Sequence, residues 1–325
     1  MPASGAFENL AEAQLLTQSE LLKGIIEEII KVGGIIEMFP IKSVSGTNLV
    51  YNRENVLPSG QFHAIADQWT ASEDINLTQI TTTLAMHGDQ KNLDDFIAKT
   101  YDSHNDMMAV VTQQTSKGVK QRLENRVIYE ATAFSALHNL VTTNQTQSVG
   151  TGSTGAAATV TGINRMLDLV RPKADVLLGP FRLMQRLDQT SQGVNSSALV
   201  YVSADGKSDV RLGQRVGFWR DVPVKRSDFM ATANTGVFQE TIASGTFSAE
   251  TGGATASLFG VRFGQPEEGG VFLAMGNELF ETVGPFASEN KNGQWFRIRT
   301  YIAPGMGSTR SLGRLDGATD VAVVA

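Results

Sequence analysis

The spacing of hydrophobic and polar positions changes several times along the chain, and each change marks a different kind of element. Over residues 10–32, apolar pairs recur at helical spacing, with acidic and basic residues between them, until two glycines at 33 and 34. This pattern predicts an amphipathic helix with a wide apolar face. Ile25 and Ile29 lie on that face, so we expect the segment to pack against another surface.

From residue 47 the pattern becomes typical of strands. Two runs rich in β-branched residues, TNLVYNRENVL and INLTQITTTLAMHG, flank a polar stretch that begins at Pro58-Ser59-Gly60. We therefore predict a long two-stranded excursion over 47–84 with a loose tip. A ribbon of two strands is marginally stable at best when isolated.

Residues 102–138 contain no proline and one glycine, Gly118, and their apolar positions follow a helical stripe. The stripe predicts one helix of about 50 Å. Gly118 costs about 1 kcal/mol relative to alanine and marks a point of easier bending. Four basic residues lie within about three turns of this helix: Lys117, Lys120, Arg122 and Arg126. Contact with DNA phosphates and ion pairing within the same assembly both remain open for them.

A polar connector, TTNQTQSVGTGSTGAAAT, follows the long helix and is the clearest internal boundary. Beyond it the patterns predict a helix near 160–171, a strand at 174–178, a helix near 180–189, and then mostly strands with glycine turns. Pro223, between two valines, suggests an edge strand. The predicted fold class is α+β.

Composition narrows the function classes. Charged residues make up only 18% of the chain, and 27 Lys and Arg against 33 Asp and Glu give a net charge of −6, which argues against an overall cationic nucleic-acid binder. The absence of cysteine excludes disulfides and thiolate metal sites. No stretch approaches the ~20 apolar residues of a membrane span and no leader precedes residue 10, so we expect a soluble protein that is intracellular when made.

Catalytic motifs are weak. Residues 150–155 match G-x-G-x-x-G in letters, but TTNQTQSV precedes them where a dinucleotide site needs a buried strand. Gly206-Lys207-Ser208 resembles the end of a phosphate loop, whose first glycine is replaced by Tyr201. The four histidines lack zinc-site spacing, and no G-x-S-x-G elbow is present. We predict neither enzymatic activity nor a cofactor or metal, with a nucleotide-binding α/β enzyme as the outlying alternative.

The order of these parts resembles the major capsid proteins of tailed bacteriophages with the Hong Kong 97-like fold, which encapsulin shells share. The local text agrees. IIEEIIKVGGIIEMFPIKSVSGTNLVYNRENVLPSGQF is similar to the N-arm and ascending E-loop, and LDDFIAKT to the start of the spine helix. GINRMLDLVRPKADVLLGPFRLMQRL resembles the peripheral domain, and FWRDVPVKRSD a strand at the axial domain.

The resemblance implies a division into an N-terminal arm (1–46), an E-loop (47–84), a peripheral domain with the spine helix (85–190, helix about 102–138), an axial domain (191–260), and return strands with the C-terminus (261–325). It implies hexamers and pentamers in an icosahedral virion capsid that encloses double-stranded DNA, assembled in the host bacterial cytoplasm. An encapsulin-like compartment around a cargo enzyme is the alternative.

The resemblance also implies partners: further copies of the chain, a separate scaffolding protein, a portal protein, decoration proteins and packaged DNA, with no membrane. No fused scaffold extension is expected, because the amphipathic arm starts by about residue 10. We expect the interface between subunits to include Ile25, Ile29, Arg53, Glu54, Phe62 and Trp69, since those on the E-loop have no core of their own to join. Some relatives are crosslinked between Lys and Asn side chains; Lys42, Asn290 and Asn292 do not align with that pattern, so we predict no crosslink.

Overall fold

The computed structural model describes residues 34–56, 62–65, 67–68, 76–96, 107–149, 155–193, 199–203, 215–230, 238, 240, 254–276, 278–288 and 292–324. Its strands are β1 (Ile41–Ser43), β2 (Asn48–Val56), β3 (Asn76–Thr83), β4 (Ala85–Asp94), β5 (Thr146–Ser148), β6 (Val176–Pro180), β7 (Leu199–Ser203), β8 (Arg215–Trp219), β9 (Val222–Ser227), β10 (Thr255–Val261), β11 (Val271–Met275), β12 (Glu281–Ala287), β13 (Gly293–Met306) and β14 (Leu312–Thr319). The helices are α1 (Met107–Tyr129), α2 (Leu137–Leu140), α3 (Val160–Leu169) and α4 (Phe181–Gly193). The predicted N-terminal amphipathic helix lies outside the described residues.

The larger sheet has seven strands in the order β5-β14-β10-β6-β9-β8-β7. Every residue of β6 and β10 in its middle is buried. Alternate side chains serve two cores: Leu258 joins the core formed with α3 and α4, whereas Phe259 joins the core formed with α1. Near-continuous apolar strands such as these are typical of a sheet covered on both faces.

The second sheet is built around β13, the longest strand. β13 pairs with β4 and β12 along its first part and with β11 over residues 302–306, and the short β1 adds to β11 in parallel. β2 and β3 pair only with each other, as a separate two-stranded ribbon. The chain therefore leaves the body at β2, returns at the end of β3, and enters the five-stranded sheet at once in β4.

The long helix is shorter than predicted. It occupies Met107–Tyr129, about 35 Å, so the prediction that it continues to residue 138 is wrong. Glu130 ends it, because its carboxylate accepts hydrogen bonds from the backbone N–H groups of Thr132 and Ala133 at 3.0 and 3.1 Å. The chain turns there before the single turn of α2. The stripe residues described on the helix are buried: Val111, Val119, Leu123, Val127 and Ile128.

The prediction of an edge strand at Pro223 is also wrong, since β9 lies between β6 and β8. Pro223 pairs with Phe218 of β8, whereas pairing with β6 begins only at Val224. The missing N–H of proline therefore falls on the one stretch of β9 that has a single neighbour. Proline thus occupies an edge-like position locally, although the strand as a whole lies inside the sheet.

Candidate functional site

The β2–β3 ribbon is anchored to the body at its base. The Tyr51 hydroxyl donates to the carbonyl of Met306 at 2.8 Å, and Nε of Arg53 donates to the carbonyl of Gly307 at 2.8 Å. A second guanidinium nitrogen of Arg53 also donates to the Met306 carbonyl. Arg53, which was expected to have no core of its own to join, thus has hydrogen-bond partners in its own chain. Its contact with a neighbouring subunit stays a prediction.

Apolar contacts support the same anchor. Leu49 and Tyr51 pack against a small core that contains Val44 and Phe272, and the rings of Tyr51 and Phe272 meet edge to face at 5.9 Å between centroids. Gly305 makes room for this arrangement, because a Cβ added to it would lie 2.4 Å from the Phe272 ring. The base of the ribbon thus has a fixed position on the body.

The ribbon also exposes apolar side chains. Val50 is 50% and Leu77 is 58% exposed, and Phe62 and Ile65 near the tip are fully exposed. Nearly all of β3 faces solvent on both sides. Several large apolar side chains exposed on one projection favour an interaction surface.

The other predicted interface residues are Glu54 and Trp69 on the E-loop and Ile25 and Ile29 on the arm. Glu54 is exposed, as expected for a residue that meets a partner outside its own chain. Trp69 lies outside the described residues, as do Ile25 and Ile29 of the predicted arm. The interface role of all these residues stays a prediction.

A cavity of about 720 Å³ opens beside the ribbon base. Leu84 and Met86 supply part of its apolar wall, and Tyr301 closes another side. Two carboxylates line it, Glu278 and Glu281, the second of which is paired with Arg299 at 2.9 Å. Glu281 stays ionised beside this arginine, which lowers its pKa.

Lys120 and Arg126 of α1 are ion-paired within the chain. Nζ of Lys120 lies 2.8 Å from Oε1 of Glu37, which lowers the pKa of that carboxyl, and Arg126 pairs with Glu130 one turn away. Arg122 is exposed and Lys117 is half-buried. The pairing alternative thus accounts for Lys120 and Arg126, and both alternatives stay open for Lys117 and Arg122.

Gly118, the predicted bend, is exposed on α1 between these basic residues, and an added Cβ there would meet nothing within 4 Å. Packing therefore does not require glycine at this position. A difference in helix curvature between assembly states stays a prediction.

The start of the described chain is tied to α1 through a buried carboxylate. The backbone N–H of Gly34 donates to both oxygens of Glu124, at 2.9 and 3.1 Å, and Ile35, Ile36 and Phe39 join the core under the helix. Burial raises the pKa of Glu124. The described chain thus begins at a fixed point beside Glu124 of α1.

Sequence reasoning missed a buried carboxyl at the end of α1. Glu240 is 5% exposed and accepts hydrogen bonds from the Tyr129 hydroxyl at 3.3 Å and from the Ser257 backbone N–H at 3.1 Å, and a further one from the Ser257 hydroxyl. Burial raises the pKa of Glu240 to about 7. The His138 ring lies 5.9 Å from the Tyr129 ring at a tilt of 45°, and burial with the adjacent Arg314 lowers the pKa of His138 to about 4. No local pattern around Glu240 could have revealed these contacts.

The remaining glycine-rich motifs lie mostly outside the part of the chain that the structure describes. Gly206-Lys207-Ser208 and residues 150–154 lie outside the described residues, and Gly155 packs against β14. Among the described residues, no group of three or more His, Asp or Glu side chains could hold a metal ion. No helix in the described ranges has the length and apolar character needed to cross a bilayer.

The three residues considered for a crosslink differ in their surroundings. Nζ of Lys42 is paired with Glu267 at 2.7 Å, Asn292 is exposed, and Asn290 lies outside the described residues. The absence of a crosslink stays a prediction.

No family model matches the chain, and no curated protein does. Solved structures do. The holo-SrpI encapsulin complex from Synechococcus elongatus aligns with a TM-score of 0.65 and 16% identity over 98% of this chain and 99% of that chain. The capsid of the native GTA particle aligns with a TM-score of 0.57 and 13% identity over 93% and 97% of the two chains. A structure from Mycobacterium phage Che8 aligns with a TM-score of 0.59 and 11% identity over 95% and 98%.

These alignments cover nearly the full length of both partners, and they confirm the α+β, Hong Kong 97-like fold predicted from the sequence. The structures that share this fold include an encapsulin and the capsid of a GTA particle. At identities of 10–16%, the alignments speak for the fold alone.

Proposed function

We propose that the chain is a structural subunit that assembles with copies of itself into a closed shell. The observation that carries this proposal is the ribbon, which is anchored at its base by Tyr51 and Arg53 and exposes Phe62 and Ile65 at its far end. An anchored, apolar projection suits a contact to another molecule better than it suits the stability of its own body. Full-length alignment with capsid and encapsulin subunits supports the same proposal.

In the phage form of the proposal, the subunit forms hexamers and pentamers of an icosahedral virion capsid around double-stranded DNA. Its partners are then a separate scaffolding protein, a portal protein, decoration proteins and the packaged DNA, and the shell matures from a procapsid in the host bacterial cytoplasm. The alignments with the GTA capsid and with phage structures favour this form.

In the second form, the shell is an encapsulin-like compartment that encloses a cargo enzyme. The alignment with the SrpI encapsulin, at a TM-score of 0.65, favours it. The described fold is compatible with both forms, because they differ in what the shell contains.

Electron microscopy of the purified full-length protein tests the shared part of the proposal, and closed shells are the expected result. Monomers alone, at high concentration and in the presence of a cell extract that contains any partner proteins, would contradict it. Extraction of shells purified from the native source then separates the two forms: nuclease-protected double-stranded DNA supports the capsid, and a stoichiometric protein cargo supports the compartment.

A further inference from the structure

A small cleft lies on the seven-stranded sheet, away from the ribbon. It has a volume of about 170 Å³ and forms where α3 ends, β6 begins and the β8–β9 turn approaches them. Its charged lining consists of Arg171, Lys173, Arg220 and Asp168. Three cations and one carboxylate give an excess of two positive charges, in a chain whose net charge is −6.

The cations of this cleft are not neutralised as other arginines are. Within the described ranges, no carboxylate lies within ion-pair distance of the exposed Arg171 and Lys173. Arg220 is 3.4 Å from Asp168, and both side chains are more than half exposed, so water and salt screen that pair. By contrast, Arg299 is held by both carboxylate oxygens of Glu281.

The loop that carries Arg171 is fixed from both sides by backbone contacts. Its N–H donates to the carbonyl of Arg310 at 2.9 Å, and its carbonyl accepts from the Arg262 guanidinium at 3.3 Å. The nearby Asp175 is occupied, because its carboxylate accepts from the N–H of Phe263 at 2.8 Å. The backbone at Arg171 is thus fixed, and one further cation, the Arg262 guanidinium, lies against it.

Arg220 occupies an unfavourable backbone position. It and Asp221 form the two-residue turn between β8 and β9, with φ of +46° and +63°. Turns of this kind favour asparagine and glycine, since other side chains crowd the backbone in the left-handed region. An arginine at a strained position beside a cleft points to a role for its side chain.

We propose that this cleft binds a phosphate group, with Arg171, Lys173 and Arg220 as the donors. Arginine pairs with phosphate through parallel N–H···O bonds, and lysine adds a point charge. No aromatic side chain lines the cleft, so it offers no platform for base stacking and contacts a nucleic acid through the backbone alone. Only the source of the phosphate, an enclosed DNA duplex, rests on the proposed function.

The first experiment measures binding of inorganic phosphate to the purified full-length protein by titration calorimetry. Arg220→Asn removes one donor, and asparagine suits the positive φ of the turn, so we expect about tenfold weaker binding with a melting temperature that is unchanged or higher. Arg165→Gln is the matched control, because Arg165 is an exposed arginine of α3 outside the cleft. Equal affinity of the wild type and Arg220→Asn would overturn the proposal.

The second experiment follows binding of a labelled DNA duplex by fluorescence anisotropy at several salt concentrations. For Arg171→Gln with Lys173→Gln, we expect the slope of log affinity against log salt to fall by about 2, because two phosphate contacts are lost. Inorganic phosphate should compete with the duplex on the wild type. Phosphate binding without duplex binding would identify a small phosphate compound as the ligand and leave the site assignment intact.

An acidic peptide of equal charge serves as the rival ligand. If it binds through the same three residues and phosphate does not, the cleft is a protein contact and the proposal is wrong. Shell formation is scored separately by electron microscopy. Loss of phosphate binding in variants that still form shells supports the site, whereas absence of shells from the wild type contradicts the proposed function and not the site.

Discussion

The seven-stranded sheet and the β2–β3 ribbon are both made of β-strands, yet their side chains have opposite surroundings. All seven residues of β10 are buried, whereas six of the eight residues of β3 are exposed. The apolar side chains of β10 pack into the two cores on the faces of its sheet. Among the described residues, Phe62 and Ile65 near the ribbon tip join none of these cores. The difference teaches that the body is stabilised by its own cores, whereas the proposed role of the ribbon is contact with another molecule.

The strongest way to break this comparison is to remove the outer ribbon. We expect that replacement of residues 55–75 by a short Gly/Ser loop leaves a folded subunit but abolishes closed shells, because the anchor at Tyr51 and Arg53 remains and the projecting part is lost. Circular dichroism and electron microscopy measure the two effects. Normal shells from the shortened chain would show that the ribbon is not the required contact.

Substitution of one phenylalanine in each region should change the free energy of unfolding by very different amounts. Phe259→Ala, in the buried sheet, should lower the free energy of unfolding by about 3–5 kcal/mol through the cavity it leaves. Phe62→Ala, the matched change at the ribbon tip, should alter it by less than about 0.5 kcal/mol and impair assembly. Urea denaturation of both variants is the measurement, and similar losses of stability would erase the distinction.

The buried sheet should also respond to pH in a way the ribbon does not. Glu240 has a pKa of about 7 in the folded protein because of burial, against 4.5 for an unperturbed glutamate. The folded protein therefore keeps a proton that the unfolded chain has lost between these values. Stability is greatest below pH 4.5 for this group and falls as pH rises through 7, by on the order of 3 kcal/mol.

Glu240→Gln tests this dependence, since an amide cannot ionise. Urea denaturation at pH 5 and pH 8 should show a fall in stability for the wild type that is largely absent in the variant. Glu267→Gln is the control, because that carboxylate is exposed and pairs with Lys42. An unchanged pH dependence in Glu240→Gln would refute a role for this carboxyl.

The ribbon anchor gives a smaller effect. Arg53→Met removes hydrogen bonds to the carbonyls of Met306 and Gly307, and we expect a loss of about 1–3 kcal/mol, felt as faster amide hydrogen exchange in β2 and β3. Glu54→Gln, at the exposed neighbouring position, is the control. If exchange in the ribbon is the same in Arg53→Met and the wild type, the contacts of Leu49 and Tyr51 hold the base without Arg53.

The smallest effect compares two glycines. Gly118→Ala on α1 should stabilise the subunit by about 1 kcal/mol, since its added Cβ meets nothing within 4 Å. Gly179→Ala in β6 should destabilise it, because the same atom would lie 2.3 Å from Leu258. Thermal denaturation decides both. A destabilised Gly118→Ala would mean that the helix needs flexibility at this point even in the isolated subunit.

Much of the fold was predictable because the spacing of apolar and polar residues along the chain indicates the type of each element. The ribbon predicted over 47–84 is found at Asn48–Val56 and Asn76–Thr83, and the apolar stripe of the long helix is buried as expected. The helix end was not predictable. Glu130 ends the helix because its carboxylate accepts hydrogen bonds from backbone N–H groups that would donate to backbone carbonyls in a continuing helix. Apolar spacing continues past Glu130, so the stripe alone indicated too long a helix.

By itself, the sequence determined the order of elements, the α+β class and the projecting ribbon, since these follow from side-chain periodicity and turn residues along neighbouring positions. Only the tertiary structure decided which distant groups meet. Arg53 finds its carbonyls 253 and 254 positions away, and Glu240 meets Tyr129 and Ser257 from two other elements. Such contacts depend on how sheets and helices pack in three dimensions, and no local pattern of residue types encodes that packing.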